Sequence, residues 1–386
     1  MALTRRPEHL FFHRPWIGSE EKEEILSCLD SGWLTTGPRT KEYEKRFADA
    51  IGVKHAIGLN SCTAGLHLAM VGLDIKPGDE VITTPLTFVA TANVIVHAGA
   101  HPVFVDVDPR TGNIDPERVK NAIGPKTRAI LVVHYAGHPC EMDSICDLAK
   151  RHDLAVIEDA AHAVESEYRG RRCGTFGRVA AFSFYATKNM TTGEGGMLVT
   201  NDDDLATRLR VLSLHGMNKD AWKRYAADGT PGFELHEPGY KYNMFDLQAS
   251  HGLHQLARID TFWRRRKEIV QRMRKALSDI PAVRLFEDVG DVKNGYHLMP
   301  IVLTAAAKKS RGEVIKAYGD WNVGVGIHFE CVHLQPFYKK TCSAAAGMCP
   351  IAEEIGAHTI SIPLYPRMSD EDVQYVIDVT REILRP

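Results

Sequence analysis

Ala129-Ile130-Leu131-Val132-Val133-His134, the helical segment Met142 to Arg151 and Ala155-Val156-Ile157-Glu158 form one strand–helix–strand unit in a chain of 386 residues. Neither apolar run alternates with polar residues, which is the pattern of strands covered on both faces in a parallel sheet. The same rhythm extends on either side. Upstream, Ala56-Ile57-Gly58-Leu59, Glu80-Val81-Ile82-Thr83-Thr84 and Pro102-Val103-Phe104-Val105-Asp106 read as strands. Helices through Ala64 to Met70 and Phe88 to Ala98, and one starting at Asp115-Pro116, fall between and after them. Downstream, Ala180-Ala181-Phe182 is a further apolar strand. Strand–helix alternation of this kind predicts an α/β fold with a mostly parallel central sheet between helices.

Beyond Asn201 the pattern changes. Asp202 to Leu214 reads as a helix, Gly216 to Gly239 as a polar stretch, and Asp246 to Leu277 as one long helix. Tyr296 to Leu303 and Gly324 to Phe329 read as strands of a smaller α+β domain. The division falls near residue 250, giving a large domain 1–250 and a small domain 251–386. At about 150 residues per domain, the length alone suits two or three domains.

Composition narrows the function. Hydrophobic residues make up 44% and charged residues 25%, and the net charge is −2. A charge so near zero gives no global field for nucleic acid or an anionic membrane. In Trp263-Arg264-Arg265-Arg266-Lys267, the apolar stripe Ile269, Val270, Met273 and Leu277 makes the basic residues a solvated helix face. No apolar run approaches the roughly 20 residues of a membrane span. The first residues lack the apolar segment of a secretory signal. The eight cysteines contain no CxxC pair and read as reduced thiols. A cytoplasmic protein is expected.

Ligands of open α/β sheets sit beyond the carboxyl ends of the strands, so polar residues there carry the chemistry. Asn60-Ser61-Cys62-Thr63-Ala64-Gly65 joins a strand to a helix, which suits a phosphate at a helix N-terminus or an ordinary cap by Ser61 or Thr63. Glu158-Asp159-Ala160-Ala161-His162 places a carboxylate at the end of a buried strand, where a charge needs a cationic or hydrogen-bonding partner. Lys188 lies just past the apolar strand that includes Ala180 to Phe182, and Thr192-Gly193-Glu194-Gly195-Gly196 allows close backbone approach. Together these match the needs of pyridoxal phosphate. A lysine amine condenses with its aldehyde, and a carboxylate keeps its pyridine nitrogen protonated.

The stretches Glu158 to His162, Ser183 to Asn189, Gly193 to Gly196 and Gly239-Tyr240-Lys241-Tyr242-Asn243-Met244 resemble those of one family. It is the DegT/DnrJ/EryC1/StrS sugar aminotransferases, pyridoxal-phosphate enzymes of fold type I. The resemblance runs from Gly32-Trp33-Leu34-Thr35-Thr36-Gly37-Pro38 to Ile362-Pro363-Leu364-Tyr365-Pro366. His134-Tyr135-Ala136-Gly137 and His215-Gly216-Met217 are similar to the branch that aminates the 4-keto group of a UDP-sugar, the UDP-4-amino-4-deoxy-L-arabinose aminotransferase type. The resemblance implies that Lys188 is the Schiff-base lysine and proton carrier, that Asp159 meets the pyridine nitrogen and that His162 lies near the ring hydroxyl. It also implies that Thr63, Ala64 and Ser183 hold the phosphate and Phe88 stacks on the ring. Asn243 would reach the phosphate of a neighbouring subunit, which makes the protein a homodimer with composite sites. The amino group would pass from glutamate through the pyridoxamine form to a nucleotide-linked keto sugar in surface polysaccharide or lipopolysaccharide synthesis. Tyr185 and His328 are candidate sugar contacts, and Lys219 to Tyr225 a source of cations for the diphosphate.

The alternatives are amination of a 3-keto sugar or a keto-cyclitol, or a non-catalytic regulator that binds the cofactor. Family members that are dehydratases replace the lysine by histidine, so Lys188 speaks for amino transfer. A nicotinamide enzyme needs a Gly-x-Gly-x-x-Gly turn that Asn60 to Gly65 lacks. No metal is expected at His328, Glu330, Cys331 and His333, because two histidines five apart on a strand face opposite sides and no second ligand pair lies nearby.

Overall fold

The computed structural model describes residues 3–217, 234–342 and 344–385. Nine strands fill the region up to residue 200: β1 (His55–Leu59), β2 (Glu80–Thr83), β3 (His101–Phe104), β4 (Thr127–Val133), β5 (Ala155–Asp159), β6 (Glu167–Tyr168), β7 (Arg171–Arg172), β8 (Val179–Ser183) and β9 (Gly196–Thr200). Seven of them form one sheet in the order β1-β9-β8-β5-β4-β2-β3. Strands β8, β5, β4, β2 and β3 are mutually parallel, and β9 runs antiparallel to both β1 and β8. The carboxyl ends of β1, β2, β5 and β8 therefore open on the edge where β9 begins. Val81, Ile82, Ile130, Leu131, Ile157, Phe182 and Leu198 are all buried in this sheet. Helices on both faces cover it, as apolar strands without alternation require.

Four further strands follow: β10 (Val283–Leu285), β11 (Val292–Lys293), β12 (Met299–Leu303) and β13 (Thr359–Ile362). Strands β10, β12 and β13 make an antiparallel sheet. Met273 and Leu277 of one helix and Val376 and Ile377 of another pack with this sheet in a separate cluster. The short β11 instead joins β6 and β7 beside the large sheet. The first residues lie on the C-terminal segments. Leu10 pairs with Val323, and Arg6 forms an ion pair with Asp372 at 2.6 Å.

Four expectations from the sequence change here, one of them the solvated basic face, because Arg266 within it is fully buried. The long helix is two helices, Asp246–Ala257 and Ile259–Leu277, which meet at Arg258 with φ −105° and ψ 6°. No proline or glycine marks the break. The first helix packs with residues of the large sheet and the second with the small one, so each half follows its own core. The strand expected from Tyr296 begins only at Met299. Tyr296 sits at φ 47°, its N–H donating to Asn294 Oδ1 at 2.8 Å. Gly324 to Phe329 is extended but not a strand. Within it, Gly326 makes one isolated bridge to Ser361 before the chain turns towards the carboxyl edge of the large sheet.

One carboxylate ties the two ends of the large layer together. The helix Pro38–Ile51 has glycine at its N-cap and no cap from its own side chains. Asp246, fully buried and far along the chain, supplies the missing acceptor. Its Oδ1 accepts from Gly37 N (2.8 Å), Thr40 N (3.0 Å) and Thr40 Oγ1 (2.7 Å), and its Oδ2 from Arg39 N (3.1 Å). Asp246→Ala strands these donors without water. We expect a loss of about 3 kcal/mol or more in stability, read as a lower urea midpoint, because each buried orphan donor costs about 1–3 kcal/mol. An unchanged midpoint would show that the helix does not depend on this cap.

Candidate active site

Strand β5 ends at Asp159, and its neighbour β8 pairs with it in the register Asp159↔Ala181. Past Ser183 the chain leaves the sheet, and a turn closed by Lys188 N–H on Tyr185 O (2.9 Å) brings Lys188 back over the strand ends. Asp159 and Lys188 then line one cavity of about 570 Å³. Each carries a charge that acts on the other. Lys188 Nζ has no hydrogen-bond or ion-pair partner among the described residues.

Asp159 is buried and held from two sides. Its Oδ2 accepts from Thr91 Oγ1 at 2.8 Å and its Oδ1 from Ala161 N at 3.2 Å. Thr87 Oγ1 lies 2.7 Å from Thr91 Oγ1. A hydroxyl has one proton, so Thr91 donates to the carboxylate and accepts from Thr87. Burial nevertheless raises the Asp159 pKa against these donors and the Lys188 charge. Burial also pushes Lys188 down to about 8, with Cys62 and Asp159 opposing the shift. The amine is thus partly neutral near physiological pH, as a nucleophile must be.

His162 is buried on the cavity wall, its ring 4.2 Å from that of His297 and stacked at 5.9 Å on Phe329. Burial and the charge of Lys188 hold His162 well below the usual imidazole range. His328 lines the same cavity. Its Nδ1 meets Ser361 Oγ at 3.0 Å, its carbonyl accepts from Tyr135 Oη at 2.5 Å, and burial brings it down to about 4.

Thr63, Phe88, Ser183 and Tyr185 reach the same cavity. Phe88 is the N-cap residue of the helix Val89–His97 and stays 60% exposed. Ser61 caps the helix Cys62–Gly72, its Oγ accepting from Ala64 N at 3.1 Å. Ala64 itself is buried, and its N–H is already engaged. Gly196 lies against this helix start, where an added Cβ would come within 2.5 Å of Cys62 N. Asn243 stands apart from the cavity of its own chain. It bridges to Leu59 and donates to Thr36 Oγ1 at 2.7 Å. Lys219 to Tyr225 lie outside the described residues. Thr87, Thr91, Cys62, His297, Phe329 and Phe12 also line the cavity, although the sequence reading assigned them no role. Thr87 and Thr91, four apart at a helix start after a strand, were the one pair with a legible spacing.

The metal-type side chains near His328 diverge. Cys331 Sγ turns to Ala352 O, Glu330 to Arg311 and His333 to Glu353, and none of these lies on a strand. His134, Glu158 and Cys173 do cluster in the interior. Glu158, however, accepts from His134 Nε2 (3.0 Å), Gly174 N (2.7 Å), Phe176 N (2.9 Å) and Gly177 N (2.6 Å). Four donors fill its acceptor capacity, so this is a buried strut.

The family model of the DegT/DnrJ/EryC1/StrS aminotransferase family matches residues 15–381. The spore coat polysaccharide biosynthesis protein SpsC of Bacillus subtilis is 48% identical, over 99% of this chain and 99% of its own. Spr1654 from Streptococcus pneumoniae, solved in its PMP form, superposes with TM-score 0.90 at 31% identity, covering 96% of this chain and 98% of its own. Helicobacter pylori PseC, an aminotransferase involved in the biosynthesis of pseudoaminic acid, superposes with TM-score 0.90 at 28% identity, covering 98% of this chain and 99% of its own.

The family depends on pyridoxal phosphate, and the cavity suits that group. The amine of Lys188, the buried carboxylate of Asp159 and the buried Nδ1 of His162, which has no protein partner, are polar groups that this cofactor would engage. Competitive acetylation of the cofactor-free protein, read by mass spectrometry, should give Lys188 a titration midpoint near 8. Asp159→Asn should move it lower still, because the carboxylate raises it. A midpoint near that of a solvated lysine, about 10.4, would show that the amine is not desolvated.

Proposed function

This chain belongs to the DegT/DnrJ/EryC1/StrS aminotransferase family, and from that premise we propose that it transfers an amino group from glutamate to the C4 keto group of a nucleotide-linked sugar, a UDP-sugar. One observation carries the reading: Asp159 and Lys188 converge on a single cavity, each within reach of the other's charge. The names of SpsC and PseC support a sugar-building role.

When bound, pyridoxal phosphate supplies a carbonyl that takes up amines and a ring that draws electrons from the adjoining carbon. The chain's residues do the rest. Lys188 Nζ, with its lowered pKa, takes a proton from the reacting carbon and returns it one position away. Asp159, steadied by Thr91 and the Ala161 N–H, holds the proton on the ring nitrogen. His162 would meet the ring hydroxyl, Thr63 and Ser183 would hold the phosphate, with Ala64 able to join them only if its N–H is shared with Ser61 Oγ, and Phe88 would cover the ring face. Tyr185 and His328 face the sugar.

Among the described residues no arginine lines the cavity. In this reading Lys219 to Tyr225 supply cations for the diphosphate, and Asn243 of a second copy reaches the cofactor phosphate in a homodimer. Two units, 1–250 and 251–386, belong to this reading, although Leu253 and Leu256 pack with the large layer and Leu10 with the small sheet, which moves the division towards Arg258 and carries the first residues across it. All eight cysteines are unpaired, which fits a cytoplasmic enzyme. No helix among the described residues is long and apolar enough to cross a membrane.

Lys188→Ala should abolish transfer and leave no borohydride-reducible cofactor on the chain. Asp159→Ala should bind cofactor yet slow transfer by about 10²–10³-fold, the scale of losing one placed charge. Transfer retained by Lys188→Ala would overturn the assignment. With glutamate as donor, 4-keto UDP-sugars should outrun 3-keto sugars and keto-cyclitols. The reverse order would move the substrate class, and no transfer to any acceptor would make the protein a regulator.

A further inference from the structure

Behind the cavity wall lies a second polar group that the proposed chemistry does not use. Glu165, Asn189, His297 and Arg266 all have their side chains in the interior, Glu165 and Arg266 with no exposure at all. Asn189 Nδ2 donates to Glu165 Oε2 at 2.7 Å and to Gly295 O at 2.8 Å. Both amide protons are then used, so Asn189 Oδ1 accepts. It lies 2.9 Å from His297 Nδ1. His297 consequently carries its proton on Nδ1 and keeps a bare Nε2. His297 lines the cavity, packed on His162 at 4.2 Å.

Arg266 steadies the same residue from behind. Its Nη1 donates to the carbonyls of His297 (3.3 Å), Tyr296 (3.4 Å) and Leu364 (3.2 Å). Its Nε and Nη2, and Glu165 Oε1, have no partner. Glu165 and Arg266 act on each other electrostatically, and no hydrogen bond joins them. Arg172 is the other charged group acting on Glu165. Lys188, His162, His328 and Arg266 act on His297.

We propose that Glu165 is a positioning residue for amino transfer: through Asn189 it fixes the ring of His297, so that a neutral Nε2 faces the cavity as an acceptor for an O–H or N–H of the reacting amine or sugar. The proposal rests on the amino-transfer reading. Its charge balance follows from the same geometry. Burial pushes Glu165 up to about 7 and His297 well below the usual range, while Arg266 opposes the Glu165 shift. The file therefore delivers an acceptor to the cavity without delivering a charge.

Three variants test it: Glu165→Met, which removes the acceptor, Glu165→Gln, which keeps one, and Asn189→Ser, which breaks the file but leaves Glu165 and Arg266. With cofactor-loaded protein, the limiting rate of the half-reaction with glutamate should fall about tenfold in Glu165→Met and Asn189→Ser, the scale of one orphaned buried donor. Glu165→Gln should stay near wild type, and cofactor content should hold in all three. In cofactor-free protein, ¹⁵N shifts of His297 should show a protonated Nδ1 and bare Nε2 in wild type and Glu165→Gln, and exchange between tautomers in the other two. Wild-type rates in Glu165→Met, or an equal loss in Glu165→Gln, would overturn the proposal. If Glu165→Met yields no soluble protein, Asn189→Ser decides alone: a wild-type rate and tautomer there would overturn it. A wild-type protein with the fixed tautomer and no half-reaction with any donor would remove the amino-transfer reading and leave the file standing.

Discussion

A desolvated amine facing a desolvated carboxylate is the constraint around which this molecule is arranged. Burial pushes Lys188 down to about 8 and raises Asp159, so each group is drawn towards neutrality by its surroundings and towards charge by its partner. Such a pair is costly unless its geometry is held and its remaining hydrogen bonds are filled. The sheet supplies the geometry. Parallel pairing of β5 and β8, in the register Asp159↔Ala181, fixes where one side chain ends and where the loop bearing the other begins. The helix start at Val89 supplies the hydroxyl that Asp159 accepts from.

Adjacent residues of a strand face opposite sides, and β5 uses both. Asp159 opens on the cavity. Glu158 points away from it and gathers His134 with the backbone turn Gly174 to Gly177. The pair Glu158-Asp159 is therefore two devices, one shaping the scaffold behind the edge and one shaping the site. A slip of one residue would place the turn anchor in the cavity and the cavity carboxylate against three backbone N–H groups, so the register is strongly specified.

The parts of this arrangement legible in sequence share one property: they lie within or directly after an apolar run. Asp159, Ser183 and Lys188 stand out because charge and hydroxyl follow buried strands without a break. Thr91 and His297 sit one helix turn and one strand start away from the edge, where only packing decides that they turn inward. Phe12 enters from the N-terminal segment by stacking on His328 at 5.3 Å, a contact with no local signal. The break at Arg258 has the same origin: it divides two cores and leaves neither glycine nor proline as a mark. Asp246 is the extreme case, since its acceptor role belongs to a helix more than half the chain away.

The second sheet bears on the chemistry through the segment it carries. One bridge, Gly326 to Ser361, sends the chain past His328, which Tyr135 and Ser361 then hold at the cavity. His162, His297 and His328 approach Lys188 from three different segments, and burial and the lysine's own charge keep all three low in pKa. Were one of them protonated at neutral pH, it would depress Lys188 further and compete with it for Asp159. Neutral imidazoles avoid both effects. They offer donors and lone pairs to a ligand while the carboxylate and the amine remain each other's counter-charge, which is why the wall of this cavity is rich in histidine and free of arginine among its described residues.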